Sequence, residues 1–280
     1  MEVPDRRPDA TLRHRLRVLY PEAPGRRLKQ WLAGGRVRVN GVVVRRGDVP
    51  VGRDDRIELG RPAVAFPSPL RLVYEDEHLL VVDKPAGLLT IATETERTRT
   101  AYRLLQDWLG AQGDERIFVV HRLDRETSGL LVFARSPAVK RALQAQFQAR
   151  TPERVYVARV EGAVREQEGE LTSRLVEDRA LRVRPVRDGR RGKEAITRYR
   201  VLERYREATL IELVLLTGRR GQIRAQLAAL GHPIVGDDAY GSRRDLLGRV
   251  CLHATRLGFV HPSGRRVVFE SPPPPAFRRP

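Results

Sequence analysis

The stretch His121-Arg122-Leu123-Asp124-Arg125-Glu126-Thr127-Ser128-Gly129-Leu130-Leu131 joins one apolar run, residues 117–120, to another, residues 130–133. It reads as a polar turn between two buried strands, crowded with charge and closed by a glycine. An imidazole, two guanidiniums and a carboxylate fall within residues 121–125. Turns held on rigid strands are common seats of catalytic groups. On residue chemistry alone, Arg122 and Asp124 fit a salt-bridged structural turn as well as a catalytic one.

Outward from this turn, residues 72–82, 118–120, 130–134, 155–160 and 209–216 read as strands. Helical patterns interrupt them at 100–109, at 137–150 with Val139, Leu143 and Phe147 on one face, and at 222–230, stopped by Gly231 and Pro233. Strands and helices do not alternate as a doubly wound sheet needs. The expectation is an α+β domain on a mixed, mainly antiparallel sheet with flanking helices, spanning 71–271. Three prolines in residues 61–70 mark a linker, 63–70, and residues 272–280 form a Pro-rich tail with polyproline character rather than packed structure.

Residues 1–62 form a separate small α+β domain. After about ten loose Pro- and Arg-rich residues come helices at 12–19 and 25–33, then strands 37–39 and 42–44 across Asn40-Gly41, a strong hairpin signal, and a closing strand 52–59. Arg26, Arg27, Lys29, Arg36 and Arg38 supply positive charge for phosphates. A generic domain with a solvated basic face is the plainer alternative.

The charge is basic throughout: 53 Lys+Arg against 35 Asp+Glu give +18 and a pI near 11.1. A polyanionic partner follows, nucleic acid first. Four lysines, Lys29, Lys84, Lys140 and Lys193, leave the rest to arginine, which suits phosphate forks and base stacking but also reflects a GC-rich genome. The single cysteine, Cys251, excludes an internal disulfide and a cysteine metal cluster. No apolar run approaches the ~18 residues of a membrane span, and no leader is evident, so a cytoplasmic protein without membrane contact is expected.

The string HRLDRETSGLL resembles the RluA-type pseudouridine synthase pattern across its whole length, and the resemblance implies that Asp124 is the catalytic aspartate of an RNA isomerase. Asp83-Lys84-Pro85-Ala86-Gly87-Leu88 is similar to the family's lysine–proline turn, which places Lys84 at the cleft. Tyr156, by its residue type alone a strand core residue, falls where the family has its active-site tyrosine. Thr217-Gly218-Arg219-Arg220-Gly221-Gln222-Ile223-Arg224, followed by Gly231-His232-Pro233-Ile234-Val235-Gly236-Asp237 and Tyr240-Gly241, is similar to the third signature, in which the arginine at Arg224 pairs with the catalytic carboxylate. Leu252-His253-Ala254 also fits, with His253 read as structural. Residues 12–59 resemble an S4 RNA-binding domain.

From this resemblance the substrate is RNA, ribosomal RNA ahead of transfer RNA, with no DNA partner; a monomer is the default. Asp124 either attacks as a nucleophile or assists glycosidic cleavage, held ionised by Arg224. Tyr156 packs on a uracil flipped out at a cost of a few kcal/mol; Arg122 fills the gap in the RNA or meets a phosphate, and Lys84 and Arg219 bind substrate. The isomerisation needs no cofactor or metal, and the chain carries neither a GxxxxGK[ST] loop nor metal-ligand spacing among its six histidines. Where the family commonly reads TGRTHQIRVHL, this chain has TGRRGQIRAQL, so Arg220, Gly221, Ala225 and Gln226 depart from the pattern. That departure motivates an alternative: a catalytically inactive RNA-binding ribosome-assembly factor of the same fold.

Overall fold

A computed structural model describes residues 10–60, 65–111, 116–178, 182–186, 191–245 and 247–278. The expected loose start through residue 9, positions 63–64 of the linker and the last two residues of the tail lie outside that set. Two compact units emerge: Met1–Phe66 with Asp107–Glu115, and Pro67–Gln106 with Arg116–Pro280.

In the first unit, β1 (Ala10–Thr11) leads into α1 (Leu12–Leu19), α2 (Gly25–Ala33), β2 (Val37–Val39), β3 (Val42–Val43), β4 (Pro50–Val51) and β5 (Ile57–Leu59). Thr11 caps α1 by accepting from the His14 amide at 3.3 Å. Leu12, Leu16, Leu28, Trp31, Leu32, Val37 and Val51 bury a common core. Asn40 and Gly41 adopt the positive φ that a two-residue hairpin turn requires. The closing strand begins at Ile57 rather than at residue 52, because the Asp55 carboxylate accepts from the Gly52 amide at 2.8 Å and folds that segment into a turn.

The second unit carries β6 (Arg71–Glu75), β7 (Leu79–Lys84), α3 (Ala101–Ala111, whose last residues cluster with the first unit), β8 (Phe118–Val119), β9 (Ser128–Ala134), α4 (Pro137–Gln148), β10 (Glu153–Glu161), β11 (Glu168–Glu177), β12 (Val183–Val186), β13 (Lys193–Arg204), β14 (Ala208–Leu215), α5 (Gln222–Ala229), β15 (Leu252–Val260) and β16 (Arg266–Glu270). Its described strands form one sheet in the order β12-β11-β13-β14-β10-β15-β9-β7-β6, with β16 beside β15 and β8 beside β9. Only β9 and β15 pair in parallel among them, so the α+β class with a mixed, mainly antiparallel sheet holds. Strand β9 is buried along its whole length. Helix α4 covers one face of β7, β9 and β15 with Val139 and Leu143.

Three local features differ from the sequence reading. Residues 72–82 are a hairpin rather than one strand, because Asp76 Oδ1 accepts from the amides of His78 and Leu79, both at 2.8 Å, and turns the chain. Strands β11, β13 and β16 escape a hydrophobicity reading because their outward positions are charged: Glu170 faces Arg198 (3.0 Å), Glu212 faces Arg200 (3.0 Å) and Glu270 faces Arg256 (2.8 Å) across paired strands. The tail is packed through Arg278. Phe277 is fully buried, its carbonyl accepts from Arg159 at 3.4 Å, and the Arg249 guanidinium lies 5.2 Å from its ring centre. The aromatic side chain anchors what the prolines alone leave extended. No described helix is long and apolar enough to cross a membrane.

A packed tail has a measurable signature: Phe277→Ala lowers the unfolding free energy by about 3–5 kcal/mol in urea titration, whereas a solvated tail leaves it unchanged.

Candidate active site

The turn expected from the sequence lies between β8 and β9 and forms the floor of a cleft of about 830 Å³, which Asp124, Tyr156, Arg122, Arg219 and Arg224 all line. The backbone around Asp124 is fastened from several sides. Thr90 Oγ1 both accepts from the Leu123 amide (3.1 Å) and donates to its carbonyl (2.9 Å). The Thr127 amide donates to the Asp124 carbonyl at 3.2 Å, and the Gly87 amide to the Arg125 carbonyl at 2.8 Å. Gly129 follows with φ 113°, a backbone that disfavours any side chain; a Cβ there would also collide with Ala254 on the parallel neighbour β15. His121 Nε2 accepts from the Val132 amide at 3.2 Å while the ring stacks on Phe147 at 4.7 Å. Burial pushes its pKa down to about 3, with Arg154 adding to the effect, so His121 is a neutral strut. His253 is also structural: Nδ1 meets Ser128 Oγ at 2.8 Å and Nε2 meets the Ser271 carbonyl at 3.2 Å.

Lys84 does not line the cleft, contrary to the sequence expectation. Its side chain is fully buried, and Nζ donates to the carbonyls of Leu88 (2.7 Å), Pro85 (2.9 Å) and Arg125 (3.3 Å). Three acceptors match the three protons of an ammonium. Burial pushes the group down to about 7 against the pull of Glu126 and Asp124. Lys84 therefore ties the lysine–proline turn to the Asp124 turn from beneath.

Arg224 does not bond Asp124 either. Its Nε and Nη2 grip both oxygens of Asp237 at 2.7 Å, Nη1 reaches Glu126 at 3.3 Å, and the guanidinium lies 4.9 Å from the Tyr240 ring centre. Asp237 is 1% exposed and presents its carboxylate edge-on, the geometry a planar guanidinium prefers. Asp124 feels Arg224 only through its field. Burial pushes the Asp124 carboxyl above the ordinary carboxylate range; Arg224 opposes this most strongly, Glu126 adds to it, and Arg122 and Arg220 pull it back down. The anticipated lowering by Arg224 is thus outweighed by desolvation. On β10, Tyr156 is buried and its phenol is pushed up to about 12, with Arg154 pulling it down and Asp124 pushing it further up. Tyr156 is a protonated phenol at neutral pH.

Arg122 is exposed at the cleft, and Arg219 Nε donates to the Glu194 carbonyl at 3.1 Å. Arg26, Arg27, Lys29 and Arg38 are exposed in the first unit. Arg36 donates to the Gly60 carbonyl at 3.1 Å and, like Arg27, lies 5.6 Å from the Trp31 ring centre.

The departures from the family pattern have structural accounts. Arg220 pairs with Glu177. Gly221 adopts φ 56° at the N-cap of α5. Ala225 packs against Leu175, Val183 and Ala195. Gln226 is buried, accepting from Thr197 (2.7 Å) and donating to Leu171 O (2.8 Å), Ser173 Oγ (3.0 Å) and Ala195 O (3.0 Å). That satisfied network seats α5 on β11 and β13. The sequence reading missed Thr90, which carries no local signal, and the structural partner Asp237, visible only as the end of GHPIVGD.

The Arg224–Asp237 pair is buried, so cutting it on one side should be severe. Arg224→Met leaves an unpaired carboxylate and destabilises the fold by about 3–5 kcal/mol, and Arg224→Met with Asp237→Leu recovers most of that loss; urea midpoints of the single and double variants check it.

Comparison with known proteins agrees with this geometry. The model for the RNA pseudouridylate synthase family matches residues 78–229, a span that includes Asp124, Tyr156 and Arg224. The chain is 38% identical over 194 residues to the dual-specificity RNA pseudouridine synthase RluA of Vibrio cholerae, covering 68% of this chain and 77% of that protein. It is 37% identical over 281 residues to the ribosomal large subunit pseudouridine synthase D of Neisseria meningitidis serogroup A, covering 92% of this chain and 74% of that protein. The solved structure of human RNA Pseudouridylate Synthase Domain Containing 1 is similar with a TM-score of 0.60 and 27% identity, over 72% of this chain and 83% of that one. With the cleft, the Asp124 turn and these likenesses in agreement, the chain belongs to the RNA pseudouridylate synthase family.

Proposed function

We propose that the protein isomerises uridine to pseudouridine in structured RNA, with Asp124 as the catalytic group. The observation that carries the proposal is the Asp124 carboxylate itself, on a fastened turn at the floor of the cleft, beside Tyr156 and within the field of Arg224 but bonded to neither. The reaction breaks the N1–C1′ bond, turns the uracil and joins C5 to C1′, with the C5 proton leaving to water and N1 taking up a proton in its place. An ionised Asp124 with unengaged oxygens attacks or assists at the glycosidic bond. Tyr156 packs on the flipped base and, as a phenol, donates to it or relays a proton. Arg122, exposed at the cleft, meets the RNA strand, and Arg219, which also lines it, contributes positive charge.

Ribosomal RNA is the proposed substrate class, ahead of transfer RNA, and the name of the Neisseria relative supports it. The first unit acts as an S4-like RNA-binding domain. Two helices, a basic hairpin and the exposed Arg26, Arg27, Lys29 and Arg38 support that role, with Arg36 partly occupied by Gly60. A monomer working in the cytoplasm, with RNA as its partner, completes the reading.

Tritium release from [5-³H]uridine-labelled RNA, taken from cells lacking the gene, tests the activity. Wild type should release tritium and Asp124→Asn should not; RNA binding without release by wild type favours the assembly-factor alternative. Because the ionised carboxylate is required and burial raises its pKa, kcat/KM should climb with pH through a value above the ~3.9 of an ordinary aspartate. That limb should move to lower pH in Glu126→Gln, which removes a negative neighbour, and to higher pH in Arg220→Gln. For the first unit, changing Arg26, Lys29 and Arg38 together to Ala should flatten the dependence of log K on log salt by about 0.7–0.9 per lost phosphate contact; an intact slope would remove these residues from the RNA interface.

A further inference from the structure

Arg154 lies at the start of β10 and lines the cleft, yet it is only 8% exposed. Its Nη2 donates to the Leu215 carbonyl at 3.2 Å, and its buried Nε has no hydrogen-bond partner. Among the described residues no carboxylate forms an ion pair with it. Burying a charge without a counter-charge is strongly unfavourable, so an uncompensated buried guanidinium needs a reason. Two neighbours accommodate it. The guanidinium carbon lies 5.9 Å from the centre of the Phe147 ring, which also stacks on His121 and packs against the core. A Cβ at Gly218 would overlap Nη1 of Arg154, although the Gly218 backbone is not in the left-handed region. The side chain missing at Gly218 is the space the guanidinium fills.

Arg150 lines the same cleft wall. It follows α4 at φ 59°, with its amide bonded to the Phe147 carbonyl at 3.3 Å and the Thr151 amide to Gln146 at 3.2 Å. That helix-ending position favours glycine, and an arginine there is under backbone strain. Its described ion pair, to Glu194, is loose at 3.6 Å and half exposed at both ends. The two cations also act on each other: burial depresses Arg154 most, Tyr156 opposes this, and the Arg150 charge depresses it further. An anion at this wall would relieve both the repulsion and the missing counter-charge.

We propose that Arg154 and Arg150 form a phosphodiester-binding subsite in the cleft wall, which takes a backbone phosphate of the RNA strand whose uridine enters the cleft. The inference rests on the RNA-isomerase reading above. RNA brings one such anion with every nucleotide, and guanidinium groups suit phosphate through charge-assisted hydrogen bonds. Buried Arg154 fixes the phosphate in depth, and Arg150 guards the more open side.

The test measures binding of a fluorescein-labelled RNA stem-loop across a salt series, melting temperature, and tritium release from labelled RNA, in wild type, Arg154→Met, Arg154→Lys and Arg150→Gly. Arg154→Met should weaken binding about 10- to 100-fold and reduce the salt slope by about 0.7–0.9, while holding or raising the melting temperature, since an apolar chain replaces an uncompensated cation. Arg154→Lys should recover part of the affinity. Arg150→Gly should weaken binding and lower the salt slope without loss of thermal stability, as glycine relieves the positive φ. Unchanged affinity and slope in Arg154→Met and Arg150→Gly overturn the subsite. So does a lowered melting temperature with wild-type slope, which would make Arg154 a structural residue. Should Arg154→Met not fold, the slope of Arg150→Gly decides. Absence of tritium release by wild type tells against the isomerase reading instead, and the salt slopes are read independently of it.

Discussion

The fork between Arg224 and Asp237 governs the electrostatics of the cleft. A guanidinium that deep is costly to bury unless a carboxylate partners it, and burial alone would disfavour its charge. The bonds and charge of Asp237, then the charges of Asp124 and Glu126, more than offset that penalty. Because Asp237 takes Nε and Nη2 and Glu126 takes Nη1, Arg224 acts on Asp124 through space without covering its oxygens. A direct pair would hold Asp124 ionised more strongly but would leave a less reactive carboxylate. The observed arrangement supports the charge while keeping its lone pairs for chemistry, a form of electrostatic preorganisation.

Beyond the ion pair of Glu126 with Arg224, the Asp124 turn is fastened through its backbone amides and carbonyls. Thr90 grips both polar groups of Leu123, and Lys84 and Gly87 both bond the Arg125 carbonyl. These bonds leave the side chains of Arg122 and Asp124 free to face the cleft. Rigid placement of the reactive group is the condition under which proximity contributes most to rate. Gly129 extends the same logic into the sheet, where the Ala254 backbone leaves no room for a side chain.

How much of this was legible in the sequence depended on whether the signal was local. The Asp124 turn, the Asn40-Gly41 hairpin and the apolar stripe of α4 are short-range patterns and could be read directly. The Asp76 turn was hidden because a carboxylate that caps two amides looks, in sequence, like any charged residue. The charged outer faces of β11, β13 and β16 masked an alternation that appears once Arg198 is seen opposite Glu170. Lys84 and Arg224 were assigned to the cleft by resemblance; Arg224 is there, but which acceptor each cation chooses is a three-dimensional fact. Phe277 shows the same limit, since one buried ring overrides the run of prolines before it.

The parallel seam between β9 and β15 joins Ser128 to His253 and Gly129 to Ala254, segments far apart along the chain. A ribosome adding roughly 5–20 residues per second makes the Asp124 turn on the order of ten seconds before the strand that flanks it exists. Contacts this distant also carry a large loop-closure entropy and form late. Until β15 is made, the nascent chain carries its reactive carboxylate without the finished sheet behind it. The sheet behind Asp124 is complete only once the β15 strand lies between β9 and β10.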